Sequence, residues 1–260
     1  MTGFVENLFG LKGRVAAVTG GGGYLCGEMA RGLAQAGCRV AVMDIRLGKA
    51  EDVASQIRDE LGGDAIGVEV DASDKASFRA GLAATLDAFG QADILINGAG
   101  INAPTPFLEI ELDEFHAVMN SQITSTLLGC QFFGEHMLAA GKGSIINITS
   151  AAAGPPLSKA FTYSVAKAGI LNLTQNLGRE WGQRGVRVNA IRPGFFPTEW
   201  NRKNFITPDR EAEILGHTPM HRYGEVSELV GGIIYLASDA ASFVTGSELT
   251  VDGGFSAKTI

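Results

Sequence analysis

Tyr163 and Lys167 stand four residues apart in a segment with a helical pattern, Phe161–Trp181, so their side chains share one helix face. An ammonium beside a phenol favours the phenolate. It is expected to lower the tyrosine pKa from ~10 by about 1–3 units, toward acid–base chemistry at neutral pH. Ser150 closes a strand thirteen residues before Tyr163 and is followed by a loop with Gly154-Pro155-Pro156. It would lie beside the pair at the strand's carboxyl end. A second chemistry is carried by Gly20-Gly21-Gly22-Gly23, between the first strand and the first helix. Glycines there let backbone approach a pyrophosphate, and a helix N-terminus supplies N–H groups and the positive end of a dipole. Asp44 ends the second strand. An acid at that place accepts hydrogen bonds from ribose hydroxyls and repels a 2′-phosphate, which favours NAD over NADP. Arg46, two residues on, would partly offset the repulsion.

The elements that must position these residues alternate. Strands are read at Arg14–Thr19, Arg39–Asp44, Ala65–Asp71, Ala92–Asn97, Gly143–Thr149, Val186–Ile191 and Leu249–Val251. Helices are read at Gly27–Gly37, Lys49–Leu61, Lys75–Phe89, Asp113–Leu138, Phe161–Trp181 and Glu225–Ser238, and residues 195–222 read as irregular and polar. The pattern predicts an α/β chain: one Rossmann-type domain over 1–260, with a seven-stranded parallel doubly wound sheet and helices on both faces. Ligands should then sit at the carboxyl ends of the strands.

Composition narrows the class. Thirty-five glycines in 260 residues are about 13%, against ~7% on average, with no Gly-X-Y period and only 8 prolines. An apolar content of 45% excludes general disorder. A net charge of −7 without a basic block disfavours a nucleic-acid partner. No apolar run is long enough to span a membrane, and Met1–Gly10 lacks the basic region of a secretion signal. Cys26, Cys38 and Cys130 fit neither a disulfide framework nor a metal knuckle, and His116, His136, His217 and His221 show no ligand spacing. A reduced, cytoplasmic protein without a metal is expected.

Taken together, Thr19-Gly20 and its glycine turn, Val70-Asp71, Asn97-Gly98-Ala99-Gly100, Asn120, Ile148-Thr149-Ser150, Tyr-x-x-x-Lys at 163–167, Asn189, Arg192-Pro193-Gly194 and Val251-Asp252-Gly253-Gly254 resemble the short-chain dehydrogenase/reductase superfamily over essentially the whole chain. The resemblance implies a catalytic set of Asn120, Ser150, Tyr163 and Lys167. Tyr163 would be the general acid in reduction and the general base in oxidation. Lys167 would hold the nicotinamide ribose, Ser150 the reacting oxygen, and Asn120 a proton-relaying water. It implies a cofactor site of Gly20, Gly22, Gly23, Tyr24, Leu25, Asp44, Asp71, Ala72, Asn97, Gly98, Ala99, Tyr163, Lys167, Pro193, Gly194, Phe196 and Thr198, and a homotetramer or dimer. Two departures stand out. The family's Thr-Gly-x-x-x-Gly-x-Gly turn places its last two glycines at Tyr24 and Cys26, and its usual Asn-Asn-Ala-Gly has Gly98 in second place.

Pro193–Arg202 and His217–Gly224 resemble the substrate-covering region of the D-mannonate/fructuronate oxidoreductases and, more loosely, of sugar dehydrogenases. Lys159, Arg192, Arg202, Lys203, His217, His221 and Arg222 form a local basic excess that would suit a carboxylated or sulfonated sugar. Ser150, Tyr163, Lys159, Arg202, Lys203 and His217 are the expected substrate contacts, with Arg192 structural. The leading expectation is hydride transfer between NAD and a sugar-type secondary alcohol. A 3-oxoacyl or generic ketone reductase, a lyase or isomerase using NAD transiently, and an NAD-sensing regulator are the alternatives.

Overall fold

The computed structural model describes residues 3–198, 202–203 and 206–259. Residues 199–201 and 204–205, part of the expected substrate cover, lie outside the described residues. Seven strands form one parallel sheet: β1 Val15–Thr19, β2 Arg39–Asp44, β3 Ala65–Glu69, β4 Ile94–Asn97, β5 Gly143–Ile148, β6 Val186–Pro193 and β7 Glu248–Val251. Their spatial order is β3-β2-β1-β4-β5-β6-β7. The chain reverses its direction of growth between β1 and β4, which opens the crevice where α/β sheets bind ligands. Every residue of β1 is buried, as a central parallel strand covered on both faces requires.

The helices are α1 Phe4–Phe9, α2 Tyr24–Gln35, α3 Leu47–Leu61, α4 Lys75–Phe89, α5 Leu112–Met119, α6 Ser125–Ala140, α7 Phe161–Trp181, α8 Pro208–His217 and α9 Val230–Ala237. Period-2 alternation in the strands divides the core. Ala16 and Val18 join Met29 and Leu33 of α2, Ile57 of α3 and Ile233 of α9 on one face. Val15 and Ala17 join Phe78 of α4 and Phe133 and Met137 of α6 on the other.

Helix α1 was not expected from the sequence, and three further differences bear on the site. The first helix of the sheet begins at Tyr24 rather than Gly27, because Gly23 is extended and serves as its N-cap. The helix expected over Asp113–Leu138 is interrupted at Asn120–Thr124 by one wide turn of π-helix, a distortion that often marks a functional residue. The span expected to be irregular contains α8. Thr207 caps it by accepting a hydrogen bond from the Arg210 N–H, and Pro208 occupies the first helical turn, where its missing N–H costs nothing.

Candidate active site

A cleft of about 420 Å³ runs along the carboxyl ends of β1, β2 and β4. Gly20, Gly23 and Leu25 lie along its floor and Tyr24 at its wall, with Asp44 and Arg46 at one end, Asp71 and Ala72 on a side, and Gly98 and Ala99 on the other side. Gly20 adopts φ +67°, a left-handed conformation that favours glycine, and an added Cβ would stand 3.0 Å from Ala99 Cα. No side chain caps α2. Its first N–H groups and the positive end of its dipole are therefore available to an anion. Thr19 Oγ1 accepts from the N–H groups of Gly98 (3.1 Å) and Ala99 (3.3 Å), locking the end of β4 against β1.

Asp44 is buried, and its two oxygens accept from Gly22 N at 3.2 Å and Arg46 N at 3.0 Å. Asp71 Oδ1 accepts from Ser73 N and Oγ. The composition of the cleft fits a dinucleotide: backbone N–H donors where charge must be met, and the carboxylates of Asp44 and Asp71 where hydroxyl and amino groups must be met. When bound, a nicotinamide dinucleotide supplies a carbon that accepts or returns a hydride.

Two expected cofactor residues stand behind this wall. Gly22 faces α3: a Cβ there would meet Lys49 Cβ at 2.5 Å and Asp44 Oδ2 at 3.0 Å, so this glycine permits helix packing and orients Asp44. Asn97 is turned into the core, donating to Asn147 Oδ1 at 2.9 Å, while Asn147 donates to Thr174. Its place at a strand end next to the cleft is correct, but the period-2 alternation of β4 sends its side chain inward.

Cys26 explains both departures from the family pattern. It is buried, and a Cβ added at Gly98 would run into Cys26 Sγ. The volume that the usual asparagine side chain would occupy at 98 is filled from position 26 instead. Tyr24 is half exposed at the cleft wall, so its ring leaves the floor open.

A pocket of about 370 Å³ is walled by Asn102, Ser150, Lys159, Tyr163, Gly194, Phe196 and Arg210 among others. Ser150 lies two residues past the end of β5 and caps a turn at Ala151–Ala153, accepting from Ala152 N at 3.1 Å, which fixes its hydroxyl. Tyr163 lies in the first turn of α7. Lys167 is buried one turn further, donates to Ile148 O at 2.6 Å, and its Nζ stands 5.4 Å from the Tyr163 ring centre. Burial pushes the Tyr163 phenol above its ordinary pKa, and a hydrogen bond from Ser150 opposes the rise. Burial lowers the Lys167 ammonium to about 8, opposed by the neighbouring Cys26 thiol. The direction is opposite to the depression expected from Lys167: burial is the largest influence on Tyr163, and Ser150 is the group that opposes it.

Asn120 opens the π turn and accepts from Thr124 Oγ1 at 3.2 Å. Pro193 pairs with Val251 across β6 and β7, and Gly194 N donates to Val251 O at 2.9 Å. Phe196 is buried against Gly224. Thr198 O accepts from Arg202 N at 2.9 Å.

Of the charged residues expected at the substrate, Lys159 lies in the pocket wall. His217 packs edge-on to the Phe255 ring at 4.7 Å and lines a neighbouring groove. Arg202 reaches Glu211 at 3.7 Å and lies over the Tyr223 ring at 4.7 Å. Lys203 is exposed. Arg192 is held by Glu248 at 2.5 Å, as its structural reading requires. Sequence reasoning missed Arg210 and Asn102. The signal for Arg210 was Thr207-Pro208-Asp209, a helix start that brings residue 210 into the first turn of α8.

This sheet order, glycine-floored cleft and serine–tyrosine–lysine arrangement are those of a nicotinamide-dependent oxidoreductase. Residues 25–256 match the model of a family described as enoyl-(acyl carrier protein) reductase. A relative described as the uncharacterized oxidoreductase UxuB of Bacillus subtilis (strain 168) is 38% identical over 95% of this chain and 96% of its own. The D-threitol dehydrogenase of Mycolicibacterium smegmatis (strain ATCC 700084 / mc(2)155) is 35% identical over 96% and 95%. A crystal structure of gluconate 5-dehydrogenase from Burkholderia cenocepacia J2315, in complex with NADP and tartrate, superposes with a TM-score of 0.93 at 35% identity, covering 97% of this chain and 99% of that one. The chain belongs to the short-chain dehydrogenase/reductase family and is an NAD(P)-dependent oxidoreductase acting on CH–OH groups.

Proposed function

We propose that the protein is an NAD-dependent dehydrogenase of a sugar-type secondary alcohol, favouring a substrate that carries a carboxylate or sulfonate. The observation that carries this reading is that Ser150 and Tyr163, with buried Lys167 one helical turn behind, meet at a pocket bordered by Gly194 and Phe196, at the sheet end that also holds the glycine-floored cleft. In oxidation, Ser150 donates a hydrogen bond to the alcohol oxygen. Tyr163 takes the hydroxyl proton as the carbon gives up its hydride. Lys167 would orient the ribose and stabilise the phenolate, and Asn120 would hold a water through which Tyr163 exchanges its proton with solvent. Gly20, Gly23, Tyr24 and Leu25 would receive the pyrophosphate at the N-terminus of α2. Asp71, Ala72, Gly98 and Ala99 would flank the adenosine, and Pro193, Gly194, Phe196 and Thr198 the nicotinamide.

Buried Asp44 supports NAD, because a 2′-phosphate would meet its carboxylate. The gluconate 5-dehydrogenase relative holds NADP, so the discrimination rests on this chain's own residue. Turnover with NAD should exceed that with NADP by about tenfold or more, and Asp44→Ser should shrink the ratio; equal turnover by the unmodified enzyme would remove the NAD reading. Relatives described as D-threitol and gluconate 5-dehydrogenases support a polyhydroxylated substrate. Exposed Phe107, Leu108, Leu112, Phe161 and Val165, around the starts of α5 and α7, support a homotetramer, which sedimentation would test.

The deciding experiment follows absorbance at the nicotinamide band with neutral, carboxylated and sulfonated sugars. Tyr163→Phe should lower kcat by about 10²–10⁴-fold while NAD binding is retained. Unchanged turnover would rule out the mechanism.

A further inference from the structure

We propose that Arg210, together with Lys159, is the anion-recognising element of the substrate pocket, receiving the carboxylate or sulfonate of an acidic sugar. The inference rests on the dehydrogenase reading above and names the residues that set its substrate class. Arg210 sits in the first turn of α8 and lines the same pocket as Ser150 and Tyr163. Its guanidinium is anchored on Ser158: Nη1 donates to Oγ at 2.9 Å and Nη2 to the carbonyl oxygen at 3.2 Å. Two of five N–H donors are thereby used, and three remain. The anchor fixes the plane of the guanidinium before any ligand arrives, which reduces the ordering cost of binding.

Charge distinguishes Arg210 from the other arginines of this region. Arg192 is paired with Glu248, Arg202 with Glu211, and Arg222 with Glu228. Among the described residues no carboxylate lies within 4.0 Å of Arg210 or Lys159. Arg210 thus joins Lys159, one of the cations of the basic excess read from the sequence, and both stand in the wall of the pocket.

Lys159 adds an independent sign. Its φ is +60°, one of two positive values for non-glycine residues among those described. Such a conformation is costly for lysine and persists where surrounding structure imposes it. Here the preceding carbonyl, that of Ser158, is held by Arg210. The same pair of hydrogen bonds that orients the guanidinium thus sets the backbone from which the ammonium projects.

The test compares the unmodified enzyme with Arg210→Met, Arg210→Lys and Lys159→Met, each with NAD present. Calorimetry measures binding of D-gluconate, a 6-sulfonated glucose and neutral D-glucitol, and steady-state kinetics gives kcat/KM for each. The ratio of kcat/KM for acid over neutral substrate should fall about 10- to 100-fold in Arg210→Met. It should recover in part in Arg210→Lys, which keeps the charge, and fall less in Lys159→Met. A purely structural tie to Ser158 would depress acid and neutral substrates alike and leave the ratio unmoved, which overturns the proposal. Failure of both anions to bind the unmodified enzyme, while D-glucitol is still oxidised, also overturns it and spares the dehydrogenase reading. Anion binding that Arg210→Met abolishes, with no turnover of any sugar, would support the anion site and sink the sugar dehydrogenase reading. Which of the two anions binds more tightly identifies the acid group.

Discussion

Tyr163 and Ser150 show how residue chemistry depends on surroundings that spacing does not report. The four-residue interval between Tyr163 and Lys167 places them on one helix face, and the structure keeps them there. Spacing says nothing about desolvation, which raises Tyr163 and lowers Lys167 together. Ser150 is the group that pulls Tyr163 back down. Oxidation needs the unprotonated tyrosine, so kcat/KM for the alcohol should climb from neutral toward alkaline pH. Ser150→Ala removes the lowering hydrogen bond, so the climb should move to higher pH in addition to a loss of rate. A pH profile that keeps its position in Ser150→Ala would mean that Ser150 does not tune the acid–base group. Arg210 escaped the sequence reading for a related reason. A single arginine in a polar stretch carries no periodic signal, and its place in the pocket is fixed only when α8 folds back beside Ser158.

At the scale of elements, all seven strands and the helices between the first six were legible, because buried parallel strands read as short β-branched runs between helical patterns, whereas α1 and α8 were not. The glycine turn was legible as a ligand loop, yet its two irregularities looked unrelated. They are 72 residues apart in sequence, at Cys26 and Gly98, and meet only when β4 is laid beside β1. The exchange predicts a coupling. Gly98→Ala should destabilise the protein by roughly 1–3 kcal/mol through overpacking against Cys26. Cys26→Gly should cost a similar amount through the cavity it leaves. The double variant should lose less than the sum, with an interaction energy of at least about 0.5 kcal/mol in denaturant melts. Additive losses would show that the two positions do not exchange volume. The π turn at Asn120 was not legible, since the helix after it is buried at Ser125, Thr126, Leu128, Gly129, Cys130, Phe133, Gly134 and Met137 and offers no single apolar stripe in which a one-residue shift of phase could be read.

At the scale of the whole molecule, the site depends on how the last strand is held. β7 is an edge strand of only four residues, all partly exposed or more so, and hydrophobic burial alone fixes it weakly. Its Glu248 lies between two other strands' ends. One oxygen stands 2.8 Å from Arg192 Nε of β6 and 2.5 Å from Nη2, and the other is 2.5 Å from Thr149 Oγ1, just past β5. The pair is largely dehydrated, with side-chain exposures of 11% and 12%. The Arg192 guanidinium also lies against Gly154, in the loop that leads from Ser150 to Tyr163. One buried ion pair thus joins three strands and supports the catalytic loop. Breaking such a pair from one side leaves a buried charge without a partner, at a cost of about 3–5 kcal/mol, whereas replacing both members by apolar side chains is often near neutral. Glu248→Ala should therefore lower stability by roughly 3 kcal/mol or more in chemical denaturation. Arg192→Met combined with Glu248→Leu should recover most of that loss. Recovery of stability without recovery of kcat would separate the two duties of the pair, showing that it orients the Ser150–Tyr163 loop as well as securing β7. A Glu248→Ala loss below about 1 kcal/mol would place the pair with solvent-screened surface bridges and leave β7 held by its backbone ladder alone.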